Sequence, residues 1–164
     1  DIFSQQHKWM QRERSARDVE TSRGVDYLRD EVASRLCERV LVCTFTQVCE
    51  LSLIFQDINR HFPNVLDLGA NACNIARQLT LPSEDSPDAG PRGSRIGKLT
   101  AADSSESLLN RDVHLPFNKE MNIVREVLPA SETLPYDANT FDAVLSSLSM
   151  HWINDLPGVL AQVN

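Results

Sequence analysis

The stretch of this 164-residue chain with the residue types for chemistry is Val65-Leu66-Asp67-Leu68-Gly69-Ala70-Asn71-Ala72-Cys73, which leads into Ile75-Ala76-Arg77-Gln78-Leu79. A short apolar run ending at glycine before a helical pattern predicts strand, tight turn and helix, the opening of a βαβ unit. In open parallel sheets a ligand sits beyond the carboxyl ends of the central strands, where the first glycine turn brings backbone close to it. An acid at the end of the second strand then takes ribose hydroxyls, about 20 residues past the turn. Asp103 lies 34 residues past Gly69, and subtracting the 13 residues of 82–94 leaves 21. Gly69 and Asp103 therefore outline a nucleoside crevice. The stretch 82–94, rich in Pro, Gly, Ser and acids, is expected to be an exposed surface loop outside it.

The elements that must position this pair follow from the pattern of apolar residues. Residues 1–24 carry charges of both signs around Phe3 and Trp9 and read as an N-terminal arm, helical in part. Leu28, Val32, Leu36 and Val40 recur at steps of four and predict a helix from Val25 to Val40. In 41–55 the period does not choose between a strand and a buried helix. Strands are expected at 65–68, 96–102, 122–127 and 141–146, with helices at 75–79, 105–112 and 155–163. Strands alternating with helices imply an α/β class, a Rossmann-like parallel sheet with helices on both faces. The last helix has no strand after it, so the domain spanning 25–164 is expected to be C-terminally truncated.

Composition excludes several alternatives. With 41% hydrophobic and 24% charged residues the chain has the make-up of one globular domain, and its net charge of -7 disfavours broad nucleic-acid binding. Val40–Phe55 is the most apolar stretch, but its 16 residues include Gln47 and Glu50, too short and polar for a transmembrane segment. No basic, serine-rich leader precedes Phe3. Cys37, Cys43, Cys49 and Cys73 form no C-x-x-C pair and read as buried or free thiols. His7, His61 and His114 have no clustered partners, and no iron-type facial triad stands out, so no metal site is expected.

Several segments resemble a known family. Val65–Gly69, Thr140–Ser147, Leu148–Pro157 and the helix Val25–Leu36 are similar to the methyltransferase-type mitochondrial complex I assembly factors, arginine hydroxylases of the class I S-adenosylmethionine-dependent methyltransferase superfamily. The run Ser147-Leu148-Ser149-Met150-His151-Trp152-Ile153-Asn154-Asp155-Leu156-Pro157 is specific to that group and its biotin-pathway methyltransferase relatives. The resemblance covers roughly 25–40, 57–80 and 98–163, leaving 41–55 and 82–94 as insertions. It implies S-adenosylmethionine as cofactor, and Asp67 agrees, since a carboxylate there suits a methyltransferase better than a pyrophosphate site. The implied cofactor-binding residues are Asp67, Gly69, Ala70, Asn71, Asp103, Ser104, Ala130, Ser131 and Ser147. No catalytic residue is assigned. The implied partner is a complex I subunit or assembly intermediate, and the implied location the mitochondrion, on the matrix side of the inner membrane.

The chain departs from the family in two places. The family turn is D-x-G-x-G-x-G, and Asn71 and Cys73 stand where its second and third glycines belong; their Cβ atoms are expected to obstruct a ligand. Ala130 or Ser131 stands where the family has an acid for the adenine amine, a loss of about 1.5 to 3 kcal/mol. His151 and Trp152 follow the fourth strand and attract a catalytic reading, but the favoured expectation is that Trp152 fills the core and His151 caps or packs on the next helix. The resemblance implies hydroxylation of an arginine of a complex I subunit. The alternatives are a non-catalytic binding protein with a decayed cofactor turn, and a generic small-molecule or protein methyltransferase.

Overall fold

Four parallel strands carry the structure, and their residues alternate between two apolar layers. The computed structural model describes residues 2–42, 61–83, 90–129 and 131–163. Strands β1 (Phe62–Leu68), β2 (Ile96–Asp103), β3 (Ile123–Val127) and β4 (Ala143–Leu145) lie in the order β3-β2-β1-β4. The register pairs Leu68 with Ala102, Asp67 with Leu145 and Asp103 with Val127. The carboxyl ends of β2, β1 and β4 therefore sit side by side, as the sequence predicts. The fourth strand is shorter than the 141–146 expected.

Side chains alternate across the pleat, and both faces are covered. Val65, Leu99, Ala101 and Leu145 join one core with residues of α3 (Asp26–Val42), α4 (Asn74–Leu79), α5 (Glu106–Asn110) and α6 (Phe117–Glu120). Leu66, Leu68 and Ala102 join a second with Val159 of α7 (Leu156–Gln162). A parallel sheet needs both covers, which explains why the buried end of β1, Val65–Leu68, is apolar apart from Asp67.

The leading helix buries a stripe one step away from the expected one. Ala33 and Cys37 are fully buried while Leu28 is 53% exposed. Polar burial explains the shift, because Asp26 at the start of α3 is buried and takes the side chain of Arg111. The arm is ordered as two helices, α1 (Gln5–Arg17) and α2 (Val19–Gly24), with Asp18 extended between them and capping α2.

An ionic network welds α2 and α3 to the sheet layer. Arg111 donates to Ser22 at 2.7 Å, to Asp112 at 2.6 Å and to Asp26, while Arg23 donates to Asp112 at 2.9 Å. Arg77 of α4 adds Asp30 at 2.5 Å. Burial pushes the Asp112 carboxyl up, but hydrogen bonds from Arg111 and Arg23 outweigh it and hold the group below the ordinary carboxylate range.

Burial pushes the Cys37 and Cys73 thiols up to about 12, so both are inert free thiols. Cys43 and Cys49 lie outside the described residues, as does 43–55 of the first proposed insertion. The second stretch differs from its expectation at both ends. Pro82 bridges Pro91, Ser83 is buried against Glu38, and Arg92 is 2% exposed with its guanidinium on Glu38, Ser34 and Gln78. These flanks pack against α3, where the ion pair with Glu38 offsets the cost of burying Arg92; 84–89 lie outside the described residues.

Arg111→Leu leaves Asp26 and Asp112 buried without their main partner and is expected to cost about 3 to 5 kcal/mol in urea unfolding. Arg35→Ala, which breaks the exposed Glu31 pair, is expected to cost under about 1 kcal/mol.

Candidate functional site

The site begins where β1 ends. Gly69, Asn71 and Cys73 all have positive φ, at 77°, 51° and 58°. These are the three positions that glycine occupies in a D-x-G-x-G-x-G turn, so the backbone keeps its path although two side chains have been added. Asn tolerates this conformation; for Cys73 it costs about 1 to 2 kcal/mol. The amides of Gly69 and Ala70 donate to the Ala102 carbonyl at 2.8 and 3.0 Å. A Cβ on Gly69 would stand 2.3 Å from the Ser149 Cβ, so this glycine is required by its neighbour as well as by its φ.

Asp103 closes the arrangement from the end of β2. Its Oδ2 accepts from the Asn71 amide at 2.8 Å and its Oδ1 from the Ser105 amide at 2.9 Å. A third bond comes from the arm: Arg12 Nη2 donates to Asp103 Oδ2 and to Asn71 Oδ1, both at 2.7 Å. Together these residues floor a crevice of about 270 Å³. Leu68, Gly69, Asn71, Asp103 and Ser104 form its base, and Leu128, Pro129, Leu134, Leu148, Ile153 and Val159 an apolar wall. Gln5, Lys8, Trp9 and Arg12 of α1 cover it. Diol acceptor, polar turn and apolar wall are the parts a nucleoside needs.

Asp67 is fully buried, and neither carboxylate oxygen has a hydrogen-bond partner among the described residues. Burial first, then the charge of Asp103, pushes its carboxyl up to about 8. It lies on the Val65 face, behind the turn.

Comparison with known proteins settles the kind of domain built around this crevice. Residues 66–164 match the family model described as a methyltransferase domain. The chain belongs to that family. Its curated relatives include the mitochondrial arginine-hydroxylase NDUFAF5 of Homo sapiens, 36% identical over 164 residues that cover all of this chain and 38% of the relative. The Danio rerio protein of the same name is 36% identical over 166 residues, covering all of this chain and 41% of the relative. That of Dictyostelium discoideum is 28% identical over 173 residues, covering 96% of this chain and 33% of the relative. The chain thus spans about two fifths of the human and zebrafish relatives.

Of the residues anticipated from sequence, Gly69, Asn71, Asp103, Ser104 and Ser131 border the crevice of this family domain. Ala70 is buried in the core and Ser147 is buried with its hydroxyl unpartnered among the described residues; neither borders the crevice. Ala130 lies outside the described residues. The expected obstruction at Cys73 is corrected: its thiol points at the Leu109 carbonyl, 3.8 Å away in the core, so the added side chain strains the backbone without entering the crevice. Trp152 is not a core residue either. It is 41% exposed at the crevice rim, edge-on to Phe3, with the Lys8 ammonium 3.2 Å from its ring centroid and the His151 ring tilted at 46° to it, 4.6 Å between centroids.

Sequence reasoning missed the cover, Gln5, Lys8, Trp9 and Arg12, and also Glu132 and Leu148. Glu132 accepts from the amides of Asn154 and Asp155 at 2.6 and 2.7 Å and from Gln5 at 2.7 Å. Leu148 has φ 53° in the crevice wall. A leucine carries no signal for that conformation, whereas the charges of the arm were visible without their destination. Among the described residues no group of three or more His, Cys, Asp or Glu is disposed to hold a metal, and no helix is long and apolar enough to cross a membrane.

Gly69→Ala is expected to cost about 2 to 4 kcal/mol in urea unfolding, from its φ and the clash with Ser149. Asp67 has a distinct pH signature. Its folded value of about 8 lies above the ordinary 3.8, so the folded state holds the proton more tightly. That contribution is complete below pH 3.8 and is lost as pH rises to about 8. The gain in unfolding free energy of Asp67→Asn over the parent is therefore expected to grow across that window; a pH-independent gain would show that Asp67 is not the titrating group.

Proposed function

We propose that the crevice binds S-adenosylmethionine and that the chain is the cofactor-side part of an arginine hydroxylase acting in mitochondrial complex I assembly. The observation that carries this reading is Gly69 and Asp103 opening onto one crevice in a methyltransferase-family domain. The names of the relatives support the arginine-hydroxylase and mitochondrial parts. The complex I partner and the matrix side of the inner membrane rest on the resemblance of the Leu148–Pro157 run.

The residues present fit this cofactor on one condition. Asp103 would take the ribose hydroxyls, Asn71, Ser104 and Ser131 would supply polar contacts, and Leu128, Pro129 and Ile153 would cover the base. Arg12 must first release Asp103. What S-adenosylmethionine supplies when bound is a sulfonium-activated methyl group; the oxygen atom and the two-electron oxidant that an arginine hydroxylation consumes would come from a separate co-reactant. The role of this chain's residues is to orient the nucleoside end and, through α1 and the 148–153 wall, to exclude water from it. The carboxyl of Asp67, unpartnered among the described residues, adds polarity behind the turn, and 25–164 would be the cofactor half of a longer domain with 41–55 and 82–94 as insertions.

Equilibrium dialysis with labelled S-adenosylmethionine tests the reading. Saturable binding, displaced by S-adenosylhomocysteine and weakened roughly ten- to a hundredfold by Asp103→Asn, is expected. Absence of saturable binding to the folded chain would leave a non-catalytic binding protein as the better account.

A further inference from the structure

The N-terminal helix lies across the mouth of the crevice, yet little apolar surface holds it there. Ala16 is the one buried residue of α1. Its attachments are polar or lie at the rim. At the leading end the Asn154 side chain accepts from the Ile2 and Phe3 amides at 2.9 and 2.8 Å, and Gln5 bonds Glu132. At the trailing end Glu13 takes the hydroxyls of Ser105 and Ser107. Between them Arg12 sits on Asp103. Just beyond, Asp18 breaks the helix in extended backbone, and α2 and α3 are fixed by Arg23, Asp26, Arg111 and Asp112. The geometry is a hinge beside an anchored segment, a loosely held helix and a central catch.

We propose that α1 is a lid over the crevice, latched by Arg12 on Asp103, and that Arg12 and a nucleoside's vicinal hydroxyls compete for that carboxylate. The competition follows from lone pairs. A carboxylate offers about four acceptor sites; the Ser105 amide uses one on Oδ1, and the Asn71 amide and Arg12 use both on Oδ2, which leaves one site for the two hydroxyls of a diol. Asp103 is 1% exposed, so access to it runs through the place Arg12 holds. A second shallow pocket, lined by Trp9, Glu13, Ser104, Glu106, Ser107 and Asn110, shares Trp9 and Ser104 with the crevice. The Trp9 and Arg12 turn of α1 stands between the two, and withdrawing it joins them into one longer groove past the end of β2. The unliganded chain is therefore self-occluded, and apparent affinity is reduced by the fraction of time the latch is open.

This proposal rests on the nucleoside reading of the crevice, and its test separates the two. Amide exchange over residues 5–17 without ligand, and S-adenosylmethionine affinity by calorimetry, are measured for the parent, Arg12→Ala and Asn154→Ala. The second variant releases the leading end of α1 far from Asp103. Exchange over 5–17 is expected to rise in both variants while 62–68 stays protected, and Arg12→Ala is expected to bind about tenfold more tightly. Unchanged exchange in Arg12→Ala, or affinity that is unchanged or weaker, overturns the lid. Faster exchange with no binding in any chain keeps the latch and overturns the cofactor reading instead.

Discussion

The Asp103 carboxylate accepts the Asn71 amide, the Ser105 amide and the Arg12 guanidinium within 2.7 to 2.9 Å, and so joins three elements that are distant in sequence. The first bond sets the glycine turn against the end of β2, the second starts α5, and the third brings the arm over the crevice. Each is charge-assisted, and the two amide bonds are also buried, which makes them stronger than a neutral bond at the surface. Every feature of the site depends on where this carboxylate is held, and parallel pairing of β1 with β2 holds it.

A second carboxylate is buried nearby. Asp67 is fully buried with no hydrogen-bond partner among the described residues, and its carboxyl is pushed up to about 8. Burial is the main cause, since removing a carboxylate from water disfavours its charged form, and the nearby Asp103 charge adds to it. Asp103 has three hydrogen-bond donors, whereas Asp67 has none among the described residues.

Strain gathers on the same edge of the sheet. Asn71, Cys73 and Leu148 have positive φ around the turn and the crevice wall, and such residues persist when their surroundings over-determine them. Asn71 is held by Asp103 and by its own bond to the Gly69 carbonyl, and Cys73 by burial beside Leu109. The turn has lost two glycines while keeping the path that glycines allow. Its side-chain chemistry has drifted further than its geometry.

The strand, turn and helix around Gly69, the acid at the end of the second strand and the parallel α/β class were legible in the sequence, because periodicity and turn chemistry are local. Subtracting residues 82–94 from the spacing was enough to select Asp103. Local pattern could not show which partner each charge would find. Arg12, Lys8 and Glu132 look like solvated charges along the chain, and only the fold brings Arg12 across 91 residues of separation to Asp103 and Gln5 across 127 to Glu132. Nor could it show that Cys73 turns its thiol into the core while Trp152 stays at the rim. Burial of one side chain depends on which neighbours arrive on its face, and those neighbours are chosen by the packing of the whole sheet rather than by the residues beside it.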